Sequence, residues 1–324
     1  MLISVLLFAV GLVLLIKGGD WFVDGATGIA KRFNLPDIVV GATVVSIGTT
    51  LPEVMVSTTG ALQGSGAMAY GNAIGSIICN TALIAAISIV CNPGPVNTKS
   101  MKTPAIFFFC SAALYCVASY FLGEFPRWMG FLMLAIFVVY MVLTVRNGMK
   151  NPDSAEVEEE EGGKERKLWQ ELFLLVVGAA VIAVGADLLV EHGQVIALGL
   201  GVPETVVALL FVALGTSLPE LVTTITSRRS GHASLGVGNV LGANVFNLVL
   251  VSGVAVSLAP FPVPMENELL NTGLNMSLVF EIPVMLGVMA LMIFPTLASK
   301  KLARWQGIAL LCIYAAFCVC QFVL

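Results

Sequence analysis

Two carboxylates stand directly after prolines in apolar surroundings: Glu53 closes the segment GTTLPE (48–53) and Glu220 closes GTSLPE (215–220). Around the first, no Lys or Arg occurs from Phe33 to Thr98. A proline inside a helix has no N–H for the carbonyl four residues back, so Pro52 and Pro219 free the carbonyls of Gly48 and Gly215. At helical spacing Ser46, Thr49, Thr50 and Glu53 lie three or four residues apart on one face, and Thr216, Ser217 and Glu220 repeat the pattern. Each unit offers a carboxylate, hydroxyls and freed carbonyls, all hard oxygen donors, with no imidazole or thiolate. Such a set suits Ca²⁺ or Na⁺ and disfavours zinc or copper. Two glutamates together neutralise one Ca²⁺.

The segments that follow carry amides. Asn72, Ser76 and Asn80 form a stripe at i, i+4 and i+8, with Gly71 and Gly75 permitting close helix approach; Asn239 and Asn247, with Gly238 and Gly242, repeat it. Ser76, Asn80 and Asn247 read as ion contacts. For Asn72 and Asn239 the rival reading is polar glue between helices. Ala243 breaks the pairing, since its counterpart is Ser76.

These residues need elements to hold them. Of 324 residues 58% are hydrophobic and 11% charged, against about 25% charged in soluble domains, and mean hydropathy is +0.96. Apolar runs of about 20 residues, each long enough to cross a bilayer core, recur at 1–16, 37–63, 68–90, 103–122, 128–146, 168–190, 203–227, 233–257, 275–298 and 305–323. The runs are continuous rather than alternating, which favours helices over a barrel. The expected fold is therefore all-α and membrane-integral with ten spans. The first run lacks the basic start and cleavage site of a signal peptide. A charge at mid-membrane costs at least about 2.5–3.5 kcal/mol, so Glu53 and Glu220 need partners. Protonated glutamates hydrogen-bonded between helices would not explain two carboxylates at matched places beside the same breakers. The seven cysteines fall in or beside apolar spans without metal-ligand spacing and read as small buried hydrophobes.

Basic residues set the orientation. With the N-terminus outside, the odd-numbered loops hold fifteen of the sixteen Lys and Arg, and the even-numbered loops only Arg127. The expectation is a multi-pass cell-membrane protein with both termini extracellular and odd loops cytoplasmic. Trp21, Trp128, Trp169 and Trp305 sit at the expected span ends as interfacial anchors. The one hydrophilic segment, 147–167, contains Glu158 to Glu161 and reads as a solvated cytoplasmic linker.

That linker separates two copies of one pattern. Shifted by 167 residues, the chain aligns on itself without a gap from Gly11 to Asn80: Gly11 meets Gly178, Asp20 meets Asp187, Pro36 meets Pro203, and GNAIGSIICN (71–80) meets GNVLGANVFN (238–247). Five spans per copy, an odd number, make the repeats inverted. The expected organisation is a first five-helix repeat over 1–146, the acidic linker over 147–167 and a second repeat over 168–324. Inverted repeats with Gly/Pro-interrupted helices at matching positions are the sequence pattern of a secondary transporter with its site at the repeat interface. Nothing in the sequence suggests an enzyme, a cofactor or nucleic-acid binding.

At the paired G-T-[ST]-L-P-E and G-N-x-[IL]-G-x-x-x-x-N segments the chain resembles the sodium/calcium exchanger family, and the resemblance covers essentially its whole length. The resemblance implies electrogenic exchange of several Na⁺ for one Ca²⁺ by alternating access, without ATP and with a monomer sufficient. The family's carboxylates fall on Glu53 and Glu220, its motif hydroxyls on Thr49, Thr50, Thr216 and Ser217, and its carbonyl donors near Ser46 and Ala213. Its neighbouring-helix positions fall on Ser76, Asn80 and Asn247. Ala243, without a side-chain oxygen, departs from the pattern. A Ca²⁺/H⁺ exchanger or a K⁺-dependent Na⁺/Ca²⁺ exchanger is the alternative.

Overall fold

The structure, a computed structural model, describes residues 2–150, 166–200, 215–264 and 275–323. Its helices are α1 (Leu2–Arg32), α2 (Asp37–Leu62), α3 (Gly66–Cys91), α4 (Thr98–Leu122), α5 (Arg127–Lys150), α6 (Leu168–Gly199), α7 (Leu218–Arg229), α8 (Ala233–Leu258), α9 (Ser277–Ser299) and α10 (Arg304–Val323). Nine of these are long and apolar enough to span a membrane among the described residues. The protein is a helical, multi-pass membrane protein. The remaining expected span, 203–227, lies partly outside the described residues, and its described part is α7.

The first span is longer than its hydropathy suggests. The run 1–16 was bounded at Lys17, but the helix continues to Arg32, taking Lys17, Asp20, Trp21 and Asp24 into its body. Lys17 pairs with Asp20 one turn on, at 3.8 Å, and both remain exposed, so neither charge forces the helix to end. Likewise α6 passes the expected end at 190 and reaches Gly199.

Packing divides the chain into two compact units, each drawing on both repeats: residues 1–49 with 143–239, and residues 50–142 with 240–324. In the first unit α1 and α6 pack antiparallel along glycines. A Cβ on Gly11 would lie 2.9 Å from the Gly185 carbonyl oxygen, and one on Gly185 2.9 Å from that of Gly11; Gly18 and Gly178 repeat the contact one heptad along. Lipid gives little hydrophobic drive between helices, so close backbone approach at small residues supplies the dispersion contacts. Phe22, Val23, Ala26, Leu175 and Ile182 fill the seam around these glycines.

In the second unit two short antiparallel ladders join loops of opposite repeats. Gly94–Pro95 pairs with Lys301–Leu302, and Glu124–Phe125 pairs with Phe261–Pro262. The 167-residue shift carries Gly94–Pro95 onto Phe261–Pro262, and Arg127–Trp128 recurs as Arg304–Trp305. Exchanging the repeats therefore converts one ladder into the other. Tyr70, Tyr115, Phe125 and Phe261 cluster behind the second, with neighbouring ring centroids 4.6 to 5.9 Å apart.

Candidate cation site

The helix that carries the first motif is interrupted twice. Residues Gly41–Val45 form a widened five-residue π turn, in which the Ser46 N–H bonds to the Gly41 carbonyl. The Ser46 hydroxyl donates to the same carbonyl at 2.8 Å, so a side chain braces the bulge. Such bulges concentrate at functional sites. One turn on, Pro52 lies inside the helix as expected. Ser46, Thr49, Thr50 and Glu53 are all buried, Glu53 completely.

The second copy is built differently. Helix α7 begins at Leu218 after a turn at Thr216 and Ser217. Pro219 thus occupies the first turn, where a missing N–H costs nothing, instead of breaking the middle of a helix as Pro52 does. Glu220 is completely buried in that first turn, where the helix N-terminus favours a negative charge. Ser217 is buried and its hydroxyl has no hydrogen-bond partner among the described residues; Thr216 is half-buried. Ala213 lies outside the described residues.

The expected amides lie on α3 and α8. Asn80 and Asn247 are repeat mates, and each is the first residue of a π turn, Asn80–Ala85 and Asn247–Val251. The Asn247 amide donates to the Ala243 carbonyl at 3.0 Å, and Ser252 donates to the Asn247 carbonyl at 2.9 Å. Both side-chain polar atoms of Asn80, Oδ1 of Asn247 and the Thr50 hydroxyl are buried without a partner among the described residues. An unsatisfied buried polar atom costs about 1–3 kcal/mol, and the three oxygens among these are ones that a cation would satisfy. Ser76 is buried in the same helix as Asn80. No group of three or more His, Cys, Asp and Glu side chains that could hold a metal occurs among the described residues.

Asn72 and Asn239 hold the motif helix α2. Asn72 Nδ2 donates to the Glu53 carbonyl at 3.2 Å and to the Ser57 hydroxyl at 2.8 Å. Asn239 Oδ1 accepts from Ser46 at 3.2 Å and from Thr49 at 3.1 Å, while its carbonyl accepts from Ser46 at 3.0 Å. The polar-glue reading describes these contacts. Thr223, Thr224 and Asn244 are among the buried polar groups that residue type and spacing did not single out. Thr224 could have been found as the repeat mate of Ser57. Asn244, which donates to Thr81 at 2.7 Å, aligns with Ile77 and carries no repeat signal.

A model of the sodium/calcium exchanger protein family matches residues 3–146 and 171–323. The chain belongs to the sodium/calcium exchanger family. Within it, the chain is 33% identical over 310 residues to an uncharacterized membrane protein of Methanocaldococcus jannaschii, covering 95% of this chain and 94% of that one. It is 31% identical to the sodium/calcium exchanger MaX1 of Methanosarcina acetivorans, covering 99% of each. Among solved structures, the sodium-calcium exchanger NCX_Mj soaked with Na⁺ and Sr²⁺ superposes with a TM-score of 0.78 at 31% identity, covering 97% of both chains.

Proposed function

We propose that this membrane cation exchanger moves Na⁺ against Ca²⁺ by alternating access, with Glu53 and Glu220 as the central ligands. The observation that carries this reading is the pair of repeat-matched carboxylates, both completely buried. Burying an ionised carboxylate is costly unless it is compensated, and a divalent cation shared by two of them compensates both. Thr49, Thr50, Thr216 and Ser217 supply hydroxyls, Ser46 and Ala213 supply carbonyls, and Ser76, Asn80 and Asn247 complete the oxygen set. When Ca²⁺ leaves, Na⁺ ions take over the same oxygens. No ATP and no resident cofactor enter this cycle, and one chain carries the whole donor set.

The same reading has five crossings in each repeat, 1–146 and 168–324, with the 147–167 linker and the odd loops cytoplasmic and both termini outside. Contacts inside each unit support the parity. Arg32, in the first loop, meets Glu171 and the Arg166 carbonyl beyond the fifth, and His232, in the seventh, meets Asp37 beside the first at 2.6 Å. The two ladders join the third loop to the ninth and the fourth to the eighth. Every pairing is odd with odd or even with even.

Labelled Ca²⁺ uptake into vesicles, with Na⁺, H⁺ and K⁺ gradients imposed separately, tests the reading. Uptake driven by Na⁺ and abolished by Glu53→Gln and by Glu220→Gln in folded protein supports it. Uptake driven by H⁺ alone, or strictly requiring K⁺, transfers the same site to the alternative exchangers. Wild-type rates in either Gln variant overturn the ligand assignment.

A further inference from the structure

Asn72 and Asn239 are repeat mates that bond to different partners. Asn72 stays within its own repeat, donating from Nδ2 to the Glu53 carbonyl and to Ser57. Asn239 reaches into the other repeat, accepting at Oδ1 from Ser46 and Thr49. The repeat mate of Ser57 is Thr224, which is 3% exposed and whose buried hydroxyl has no partner among the described residues; Asn239 Nδ2 is likewise buried without one. These two orphaned groups are the donor and acceptor that the Asn72–Ser57 bond becomes when the repeats are exchanged. They lie on neighbouring helices of the first unit. One turn before Asn239, a Cβ on Gly236 would come within 3.1 Å of Thr224 Cα.

In an inverted-repeat carrier the two copies trade roles as the site opens to the other side. We propose that Asn239 is a two-position latch of the exchange cycle. In the arrangement described it holds Ser46 and Thr49. In the oppositely facing state its Nδ2 donates to Thr224 Oγ1 and to the Glu220 carbonyl, while Asn72 lets go of Ser57. The latch acts on ion binding through hydroxyl direction. A hydroxyl has one hydrogen and two lone pairs. Thr49, with its hydrogen committed to Asn239, turns lone pairs toward a cation; released, it rotates freely and binds the ion less well. The Ser46 hydrogen is shared between Asn239 and the nearer Gly41 carbonyl, so Ser46 stays braced in either state. Asn239 is thus a positioning residue that couples which side is open to how firmly the Thr49 hydroxyl holds the ion.

The proposal rests on the cation-exchange reading, and its test separates the two. Thr224→Val removes a hydroxyl that has no partner among the described residues in this arrangement, while Ser57→Ala removes the acceptor that Asn72 uses. Apparent Ca²⁺ affinity is measured from each face, in right-side-out and inside-out vesicles. One buried hydrogen bond shifts the balance of the two states by about two- to tenfold. The ratio of the two affinities should therefore move by that factor in opposite directions in the two variants. Thr224→Ser, which keeps the hydroxyl, should retain the wild-type ratio, and the double variant should return toward it. A hydroxyl that only packs would move neither ratio, or both the same way, and either result overturns the latch. If Ser57→Ala does not fold, an unmoved ratio in Thr224→Val alone overturns it. Wild-type vesicles that exchange no Ca²⁺ overturn both readings; normal exchange with unmoved ratios overturns the latch only.

Discussion

Arg32 Nε donates to Glu171 Oε2 at 3.0 Å, tying the last turn of α1 to the first turn of α6. The two ends of this bond differ in exposure: the Glu171 side chain is 7% exposed and that of Arg32 37%. Removing the glutamate leaves an arginine that water can reach, whereas removing the arginine leaves a buried carboxylate without its charge partner. Arg32→Met is therefore expected to cost more than Glu171→Gln, about 2–3 kcal/mol against about 1. Thermal unfolding of the purified protein in detergent checks the order, and a reversed ranking would refute it.

Gly238 faces the Ile38 carbonyl, and Gly41 faces that of Leu235, so α2 and α8 touch backbone to backbone in the first unit. A methyl at either position would overlap a carbonyl oxygen, which cannot swing aside as a side chain can. Gly41→Ala and Gly238→Ala should each destabilise by about 1–3 kcal/mol. Gly287→Ala in α9, where a new Cβ meets nothing within 4 Å, should be neutral or gain up to about 1 kcal/mol of helix propensity. Melting curves of the three variants separate these outcomes; equal losses in all three would mean that the close approach is unimportant.

Most spans were legible because hydropathy alone marks a bilayer crossing. The end of α1 was not. Lys17 and Asp20 look like a loop until their pairing across one turn is known. The motifs' chemistry was legible from residue type and spacing, since Ser46, Thr49, Thr50 and Glu53 share a face once a helix is assumed. Backbone bulges were not, because the π turn at Gly41–Val45 depends on a Ser46 bond five residues back. The repeat suggested that Pro52 and Pro219 act alike, yet one lies inside a helix and the other at a helix start. Identical letters at mated positions do not impose identical local structure.

Orientation has a direct check. The structure moves Lys17 into the body of α1, but the other fourteen basic residues of the odd-loop set still oppose Arg127 alone. A reporter fused after the C-terminus should be active only on the external face, and one inserted in 151–165 only on the cytoplasmic face. Cytoplasmic activity at both points would break the five-plus-five inversion.

Protons should compete with the transported cation. A carboxylate ligates Ca²⁺ only when ionised, and lowering the pH adds protons to the unloaded site, so acid should inhibit uptake and alkali should not. Na⁺-driven Ca²⁺ uptake is expected to fall as the pH is lowered, and raising Ca²⁺ should shift that fall to lower pH. A profile that is flat and insensitive to Ca²⁺ would remove Glu53 and Glu220 from the ligand set.

Ala243 is where the two halves of the site stop matching. Its counterpart Ser76 offers a hydroxyl, while Ala243 is fully buried and offers a carbonyl that already accepts from Asn247 at 3.0 Å. Na⁺ gains from each added neutral oxygen, whereas Ca²⁺ draws more of its binding from the carboxylates. Ala243→Ser restores an oxygen without adding charge and leaves the Asn247 bond in place. It should lower the half-saturating Na⁺ concentration about three- to tenfold, the effect of about one net hydrogen-bond equivalent, and change that for Ca²⁺ less. Ser76→Ala should shift Na⁺ dependence the opposite way and slow exchange. Na⁺ titrations of Ca²⁺ exchange in vesicles measure both. If the two curves overlay the wild type, Ser76 and Ala243 belong to helix packing, and the Na⁺ sites must be built from the remaining oxygens of α2, α3, α7 and α8.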